Sequence, residues 1–126
     1  MRVVDSSAWI EWILDSTVGR QLSDQIPEPE NCIVPTIVQL ELSKWLLREQ
    51  GEDALNNFIA YTMLCNVISL DTTIARRAAE ISVQHKLATA DAIIYATALQ
   101  HEADVLTCDA HFNGLESVIY HPKAID

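Results

Sequence analysis

The chain has 126 residues, of which 49% are hydrophobic, and this length predicts a single domain over residues 1–126. No apolar run approaches the roughly 20 residues that span a bilayer, and no basic segment followed by an apolar one marks a signal peptide. The net charge of −10, from 18 acidic and 8 basic residues, disfavours generic phosphate binding, so a polyanionic substrate would need bound cations, a local basic patch or a partner subunit.

The first half of the chain alternates short apolar strands with longer helical segments. Strands are predicted over 2–4 and 32–34, where β-branched residues predominate, and Pro35 closes the second. Apolar spacing predicts helices over 7–14, 16–25, 37–50 and 52–64. We expect Thr36 to cap the third of these helices and Gly51 to end it. Two prolines predict a loop over 26–31.

The second half repeats this alternation. Strands are predicted over 67–70, 104–107 and 117–120, and a turn over 108–114. One helix begins at Asp71 or Thr72 and runs to about His85, and an alanine-rich helix over 90–101 follows Thr89. Strands that alternate with helices indicate an α/β fold with a mostly parallel sheet covered on both faces.

Cysteine and histidine usage narrows the kinds of site. The three cysteines are far apart and form no Cys-x-x-Cys pair, which indicates buried thiols in a reducing compartment and predicts a cytoplasmic protein. The four histidines show no helical i, i+4 pair and no neighbouring cysteine, so we expect no zinc site.

Glu41 is the acid whose position is hardest to explain by solvation. It follows Ile37 by four residues and precedes Trp45 by four, which places it within the apolar stripe of its helix. An unpaired carboxylate there would cost several kcal/mol or acquire a raised pKa. The alternative is that Glu41 lies at the margin of the stripe or pairs with Lys44 or Arg48.

Three aspartates have ordinary structural explanations when each is taken alone. Asp5 and Asp109 each follow a predicted strand and could cap the next turn, and Asp91 lies in a first helical turn that favours acids. Ser7 and Thr107 lie beside these acids and could orient them. In parallel sheets, however, the carboxyl ends of strands form the ligand-binding edge, so we expect the three aspartates and Glu41 to converge there.

Four carboxylates in one cleft repel one another, so the group must raise its pKa values or capture a cation. Oxygen ligands without histidine or thiol select hard ions such as Mg²⁺ or Mn²⁺. The reaction class that follows is metal-assisted hydrolysis of phosphodiester bonds.

Four segments, which together extend over most of the chain, resemble the PIN-domain nucleases, and the compact size resembles the VapC-type toxins of toxin–antitoxin modules. The segments are VVDSS (3–7), PTIVQLEL (35–42), LATADAIIYATA (87–98) and ADVLTCDAHF (103–112). The resemblance implies a three-layer α/β/α fold with a parallel sheet of about five short strands. It implies a Mg²⁺ or Mn²⁺ site made by Asp5, Glu41, Asp91 and Asp109, with Ser7 and Thr107 as supporting polar groups.

The same resemblance implies endoribonuclease activity, a homodimer and inhibition by a small cognate antitoxin. For the basic residue that the family commonly has near the site, we expect Lys44 and Arg48 to substitute as RNA contacts. Trp9 and Trp12 lie in one predicted helix, and we expect one of them to contribute to a dimer or antitoxin surface.

Other functions remain to be weighed against a nuclease. The three glycines form no P-loop or G-x-G-x-x-G turn, and no G-x-S-x-G elbow is present, which disfavours nucleotide-binding folds and serine hydrolases. The strongest rival is a catalytically silent PIN-like module that binds metal or protein, which the acidic composition favours. RNA cleavage with added Mg²⁺ or Mn²⁺ separates the two hypotheses.

Overall fold

Five short parallel strands form one sheet in the computed structural model, which describes residues 1–123. The strands are β1 (Arg2–Val4), β2 (Cys32–Pro35), β3 (Asn66–Ile68), β4 (Asp104–Thr107) and β5 (Val118–Tyr120). Their order is β3-β2-β1-β4-β5, and every neighbouring pair is parallel. The chain therefore extends the sheet in one direction from β1 and then returns to add β4 and β5 on the other side.

Within residues 1–123, six α-helices connect the strands. They are α1 (Ser6–Ile13), α2 (Thr17–Leu22), α3 (Thr36–Glu49), α4 (Glu52–Thr62), α5 (Thr72–His85) and α6 (Thr89–Gln100). The central strands are almost wholly buried, as a parallel sheet covered on both faces requires, and the predicted three-layer α/β/α architecture is confirmed. Among the described residues, none of the helices combines the length and apolar character needed to cross a membrane.

Helix α6 packs into the interior because its side chains are small or apolar. Its residues from Ala92 to Ala98 are all buried, including Ile94 and Ala96, which are fully inaccessible. A helix that is apolar on every side has no solvent face and must be enclosed by other elements. This placement brings Asp91, in the first turn, inward with the helix.

Trp9 and Trp12 occupy different environments although both lie in α1. Trp9 is fully buried, and its ring packs edge-to-face on Phe58 at 5.4 Å and on Tyr61 at 6.0 Å between centroids. Trp12 is 39% exposed and packs edge-to-face on Trp9 at 5.6 Å. Trp9 is therefore a core residue, and Trp12 is the tryptophan available to a partner.

Most predicted elements are present, with local differences at their ends. Thr36 does not cap α3 as we expected. Thr36 is instead the first helical residue, and Pro35 occupies the capping position. Proline has a fixed φ but no side-chain oxygen, so α3 has no side-chain cap. Asp71, rather than Thr72, caps α5 by accepting a 2.8 Å hydrogen bond from the Ile74 N–H.

Two segments expected to be irregular contain short 3₁₀ helices. These are Pro29–Asn31 and Ala110–Phe112. Gly51 follows the end of α3, as predicted, with a φ of +97° that L side chains rarely adopt.

Candidate metal centre

The candidate site lies where the order of strand addition reverses, between β1 and β4. Val4 pairs with Leu106 at the carboxyl ends of these strands, and the Asp5 N–H extends the pairing by donating to the Leu106 carbonyl at 2.9 Å. The crevice at such a reversal is the usual ligand site of an open α/β sheet. Asp5 and Asp109 are placed at this crevice because each follows the end of one of the two strands.

Asp5 is the most buried of the acids and is held by two hydroxyl groups. It is 3% exposed, and its Oδ2 accepts hydrogen bonds from Ser7 Oγ at 2.6 Å and Thr107 Oγ1 at 2.8 Å. Burial raises the pKa of Asp5, the two hydroxyl donors oppose that rise, and the negative charge of Asp109 adds to it. Asp5 does not cap α1 with its side chain, because the carboxylate is directed to these hydroxyls.

Ser7 and Thr107 also order the backbone after β4. The Ser7 Oγ accepts a 2.9 Å hydrogen bond from the Cys108 N–H, and Thr107 Oγ1 accepts one of the same length from the Asp109 N–H. The two hydroxyls lie 3.2 Å apart. They therefore tie the start of α1 to the segment that carries Asp109, and they hold Asp5 between the two.

Glu41 contacts α1 rather than the basic residues of its own helix. Its Oε1 accepts a 2.8 Å hydrogen bond from Ser6 Oγ, whereas Arg48 makes its ion pair with Glu49 at 2.9 Å. Burial raises the pKa of Glu41, and the charges of Asp5 and Asp109 add to this, while Ser6 and the charge of Lys44 oppose it. The expected alternative of a pair with Arg48 is wrong, and Lys44 acts on Glu41 through its charge.

Asp91 is largely buried and has a raised pKa. Its side chain is 16% exposed. Burial raises its pKa to about 6, and the charges of Asp109, Asp5 and Glu41 contribute in that order. These three charges can raise the pKa of Asp91 only if their carboxyl groups lie close to it. Asp91 lies in the first turn of α6, as predicted, where the helix dipole favours an acid, and Ala88 before the helix provides no side-chain cap.

Asp109 caps the turn that follows it, as expected, and its carboxylate also faces the site. Its Oδ1 caps the turn Ala110–Phe112 by accepting a 2.9 Å hydrogen bond from the His111 N–H. The same Oδ1 lies 3.0 Å from His111 Nδ1. Within residues 1–123, Asp91, Asp109 and His111 form a set whose nearest ligand atoms all lie within 4.8 Å of one another.

The structure thus brings the four predicted acids to one edge of the sheet, with Ser7 and Thr107 among them. His111 lies beside Asp91 and Asp109, although no histidine was expected near the acids, and Ser6 was not recognised as the partner of Glu41. The i, i+2 spacing of Asp109 and His111 after β4 could have indicated that His111 lies beside the acids.

Basic side chains near the site are few. Lys44 is exposed and close enough for its charge to act on Glu41, whereas Arg48 is exposed and paired with Glu49. A groove of about 540 Å³ adjoins Asp109, and its lining also includes Ser7, Tyr120 and Lys123. Lys123 is therefore a second cation beside the cluster. It was not predicted, because it follows the last strand and belongs to no motif.

A family model described as "PIN domain" matches residues 2–117 of the chain. A comparison with curated proteins finds no match.

Solved structures share the fold over nearly the whole chain. A toxin–antitoxin complex from Klebsiella pneumoniae contains a chain with a TM-score of 0.83 and 21% identity, and the match covers 99% of this chain and 100% of that one. Mycobacterium tuberculosis VapC20, described as a sarcin-ricin loop cleaving toxin, has a TM-score of 0.76 and 19% identity, with coverage of 94% and 97%. FitAcB from Neisseria gonorrhoeae has a TM-score of 0.73 and 22% identity, with coverage of 97% and 98%.

Proposed function

The chain belongs to the PIN domain family, and we propose that it is a Mg²⁺- or Mn²⁺-dependent endoribonuclease, the VapC-type toxin of a toxin–antitoxin pair. The observation that carries this proposal is the convergence of four carboxylates at the carboxyl edge of a parallel sheet, where each of three raises the pKa of the fourth, Asp91. The structural similarity to VapC20 and to the toxin–antitoxin complex supports the choice of RNA as substrate and of an antitoxin as partner.

The donor set fits a hard divalent cation. Asp5, Glu41, Asp91 and Asp109 offer carboxylate oxygens, and their mutual repulsion is relieved when a cation lies among them. We assign the metal to these four residues. Such an ion, when bound, polarises a phosphodiester oxygen and lowers the pKa of water.

The surrounding residues keep the carboxylates in position before metal arrives. Ser7 and Thr107 hold Asp5, and Ser6 holds Glu41, each by a hydroxyl donor within 2.8 Å. A carboxylate whose oxygen is fixed by such a donor loses less rotational freedom when it coordinates, and its charged form is favoured. We infer that these hydroxyls position the acids for metal binding.

RNA binding must overcome the net charge of −10. We assign Lys44 to a phosphate contact because its charge acts on Glu41, and Arg48, one turn further along α3, to a weaker one because Glu49 already pairs with it. Lys123 is placed to contact a strand that lies in the groove beside Asp109. Cations beside Glu41 and beside Asp109 would guide a phosphodiester toward the acidic cluster.

The proposed partners are a small antitoxin and a second copy of the chain. Exposed apolar side chains on α1 and α3, including Trp12, Leu40 and Leu47, provide surface that such partners could cover. We propose that the single domain predicted over residues 1–126 is the unit that carries both the nuclease site and this surface.

The experiment that tests the proposal is cleavage of RNA by the purified chain with Mg²⁺ or Mn²⁺. We expect wild type to cleave and Asp5→Asn and Asp91→Asn to lose more than about 99% of the rate, because removal of a metal ligand typically removes the stabilisation of the developing charge. Asp24→Asn, at an exposed position in a turn remote in sequence from the four acids, is the matched control and should cleave like wild type.

The rival proposal is a catalytically silent PIN-like module that binds metal or protein. The acidic composition favours it, because the described basic side chains near the site are few. If RNA stays intact with every metal while Mg²⁺ or Mn²⁺ still stabilises the wild type but not Asp91→Asn, the silent module is the correct description. Equal cleavage by wild type and both variants would instead exclude these residues as the site.

A further inference from the structure

His111 contacts two of the four acids although its side chain is 78% exposed. Its Nδ1 lies 3.0 Å from Asp109 Oδ1 and 3.9 Å from Asp91 Oδ2. Bonds to ions such as Mg²⁺ are about 2.1 Å long, so opposite ligands of one ion are ~4.2 Å apart. Both distances fall within this span, so the imidazole nitrogen and the two carboxylates lie at the spacing of ligands to one cation.

The backbone fixes His111 at this position even though solvent surrounds the ring. The turn Ala110–Phe112 is capped by Asp109, which accepts the His111 N–H at 2.9 Å. The next residue, Phe112, is fully buried and anchors the turn in the core. The Cα of His111 is therefore held against Asp109, while the exposed imidazole can rotate from the carboxylate to a cation without disturbing the packing.

We propose that His111 supplies an imidazole ligand to the cation held by Asp91 and Asp109, and that the site consequently favours Mn²⁺ over Mg²⁺. This inference rests on the proposed metal site and deepens it. Mg²⁺ prefers oxygen ligands and keeps several waters, so a nitrogen ligand gains it little. First-row transition ions accept imidazole together with carboxylate, and their affinity for nitrogen-containing sites exceeds that of Mg²⁺.

A different role for His111 is to hold Asp109 by a hydrogen bond, without touching the metal. Two substitutions separate these roles. His111→Ala removes both the ligand and the hydrogen bond. His111→Asn retains an N–H that can donate to Asp109 but offers only an oxygen to a cation. A positioning role predicts that His111→Asn keeps the metal preference of wild type, whereas a ligand role predicts that it loses the preference for Mn²⁺.

The experiment uses the RNA-free protein, so its readout does not depend on catalysis. Mn²⁺ affinity is measured by electron paramagnetic resonance, and Mg²⁺ affinity by competition. We expect His111→Ala and His111→Asn to weaken Mn²⁺ binding by at least about tenfold and Mg²⁺ binding by much less. His101→Ala, at an exposed histidine that follows α6, is the matched control and should leave both affinities unchanged.

Pulsed electron paramagnetic resonance of the Mn²⁺ complex tests the bond itself. Wild type and His101→Ala should show coupling to an imidazole nitrogen, which changes on ¹⁵N-histidine labelling and is absent from both His111 variants. Mn²⁺ bound without nitrogen coupling, or a preference for Mn²⁺ retained by His111→Asn, would overturn this inference and leave the proposed nuclease intact. Failure of Mn²⁺ to bind, or binding unaffected by Asp91→Asn, would overturn the metal site and the inference with it.

Discussion

Ser6 donates a 2.8 Å hydrogen bond to Glu41, so the first residue of α1 holds an acid in the middle of α3 across 35 positions of sequence. Ser6 is 8% exposed, and the bond opposes the rise that burial imposes on the pKa of Glu41. The position of a proposed metal ligand therefore depends on the packing of two helices against each other.

Ser6→Ala should weaken divalent-metal binding without unfolding the chain. Removal of the hydroxyl leaves Glu41 free to rotate and favours its protonated form, and the loss of an outer partner typically costs about tenfold or more in metal affinity. Isothermal titration with Mn²⁺ measures the change, and Ser69→Ala at an exposed position is the control. Equal affinities in Ser6→Ala and wild type would show that the hydrogen bond does not position Glu41.

Thr107→Val should destabilise the fold by about 1–3 kcal/mol because it removes one of the two hydroxyl donors to the buried Asp5 and leaves the Asp109 N–H without its partner. Thr107 is fully buried, donates to Asp5 and accepts from the Asp109 N–H, and valine has nearly the same shape. Urea denaturation of metal-free protein measures the effect. Thr97→Val is the matched control, because Thr97 is buried but only donates to the Ile93 carbonyl of its own helix. A loss no larger than that of the control would contradict the role assigned to Thr107.

Asp91→Asn should stabilise the metal-free protein at neutral pH. Burial and three neighbouring acids raise the pKa of Asp91 from 3.8 to about 6, so the folded state binds its proton more tightly than the unfolded state does. The stability contributed by this proton is fully present below about pH 4 and is lost as the pH rises through about 6. Asparagine removes the charge, and after allowance for partial exposure we expect a gain of about 1 kcal/mol at pH 7.5.

The measurement is thermal unfolding of metal-free wild type and Asp91→Asn between pH 4 and 8. The two melting temperatures should diverge as the pH rises, and a constant difference would show that Asp91 does not titrate in this range. Adding Mn²⁺ at about 100 times its Kd should then stabilise wild type by about 2.7 kcal/mol, since the ion binds only the folded state. A similar metal-induced shift in Asp91→Asn would remove Asp91 from the ligand set.

Lys44→Ala should weaken RNA binding more than Arg48→Ala does. Lys44 is exposed near Glu41, whereas Arg48 is already paired with Glu49 at 2.9 Å. Binding of a short RNA is measured against salt concentration in the Asp5→Asn background, so that cleavage does not interfere. Loss of one phosphate contact should reduce the slope of log affinity against log salt by about 1. An unchanged slope for Lys44→Ala would place the RNA elsewhere, with the groove beside Lys123 as the next position to test.

Trp12→Ala should weaken association with the partner while leaving the core intact. The ring is 39% exposed and rests on the buried Trp9, which makes it a rigid aromatic anchor of the kind that contributes most at interfaces. We expect a loss of about 2 kcal/mol in affinity for the proposed antitoxin, or in self-association measured by sedimentation. Val83→Ala, at the 83% exposed position on α5, is the control. Unchanged affinities in Trp12→Ala would exclude this tryptophan from both interfaces.

The sequence by itself determined the strands, the helices and the edge at which the acids meet. Asp5 follows β1 directly and Asp109 follows β4 after one residue, and the βα alternation requires parallel strands whose carboxyl ends share one edge. Local patterns sufficed because each of these features depends on neighbouring residues and on a general rule of topology. Element ends were less exact, since the strand predicted over 67–70 is Asn66–Ile68 and the cap of α3 depended on how Pro35 leaves the sheet.

Only the tertiary structure decided which donor holds which carboxylate and which further side chain joins the cluster. Ser6 meets Glu41 across 35 residues, Thr107 meets Asp5 across 102, and His111 reaches Asp91 because α6 carries that residue inward. These contacts depend on the packing of distant elements, to which no local periodicity corresponds. Hydrogen bonding and coordination act over about 3 Å, whereas sequence patterns place a side chain only to within a helix face or a strand end.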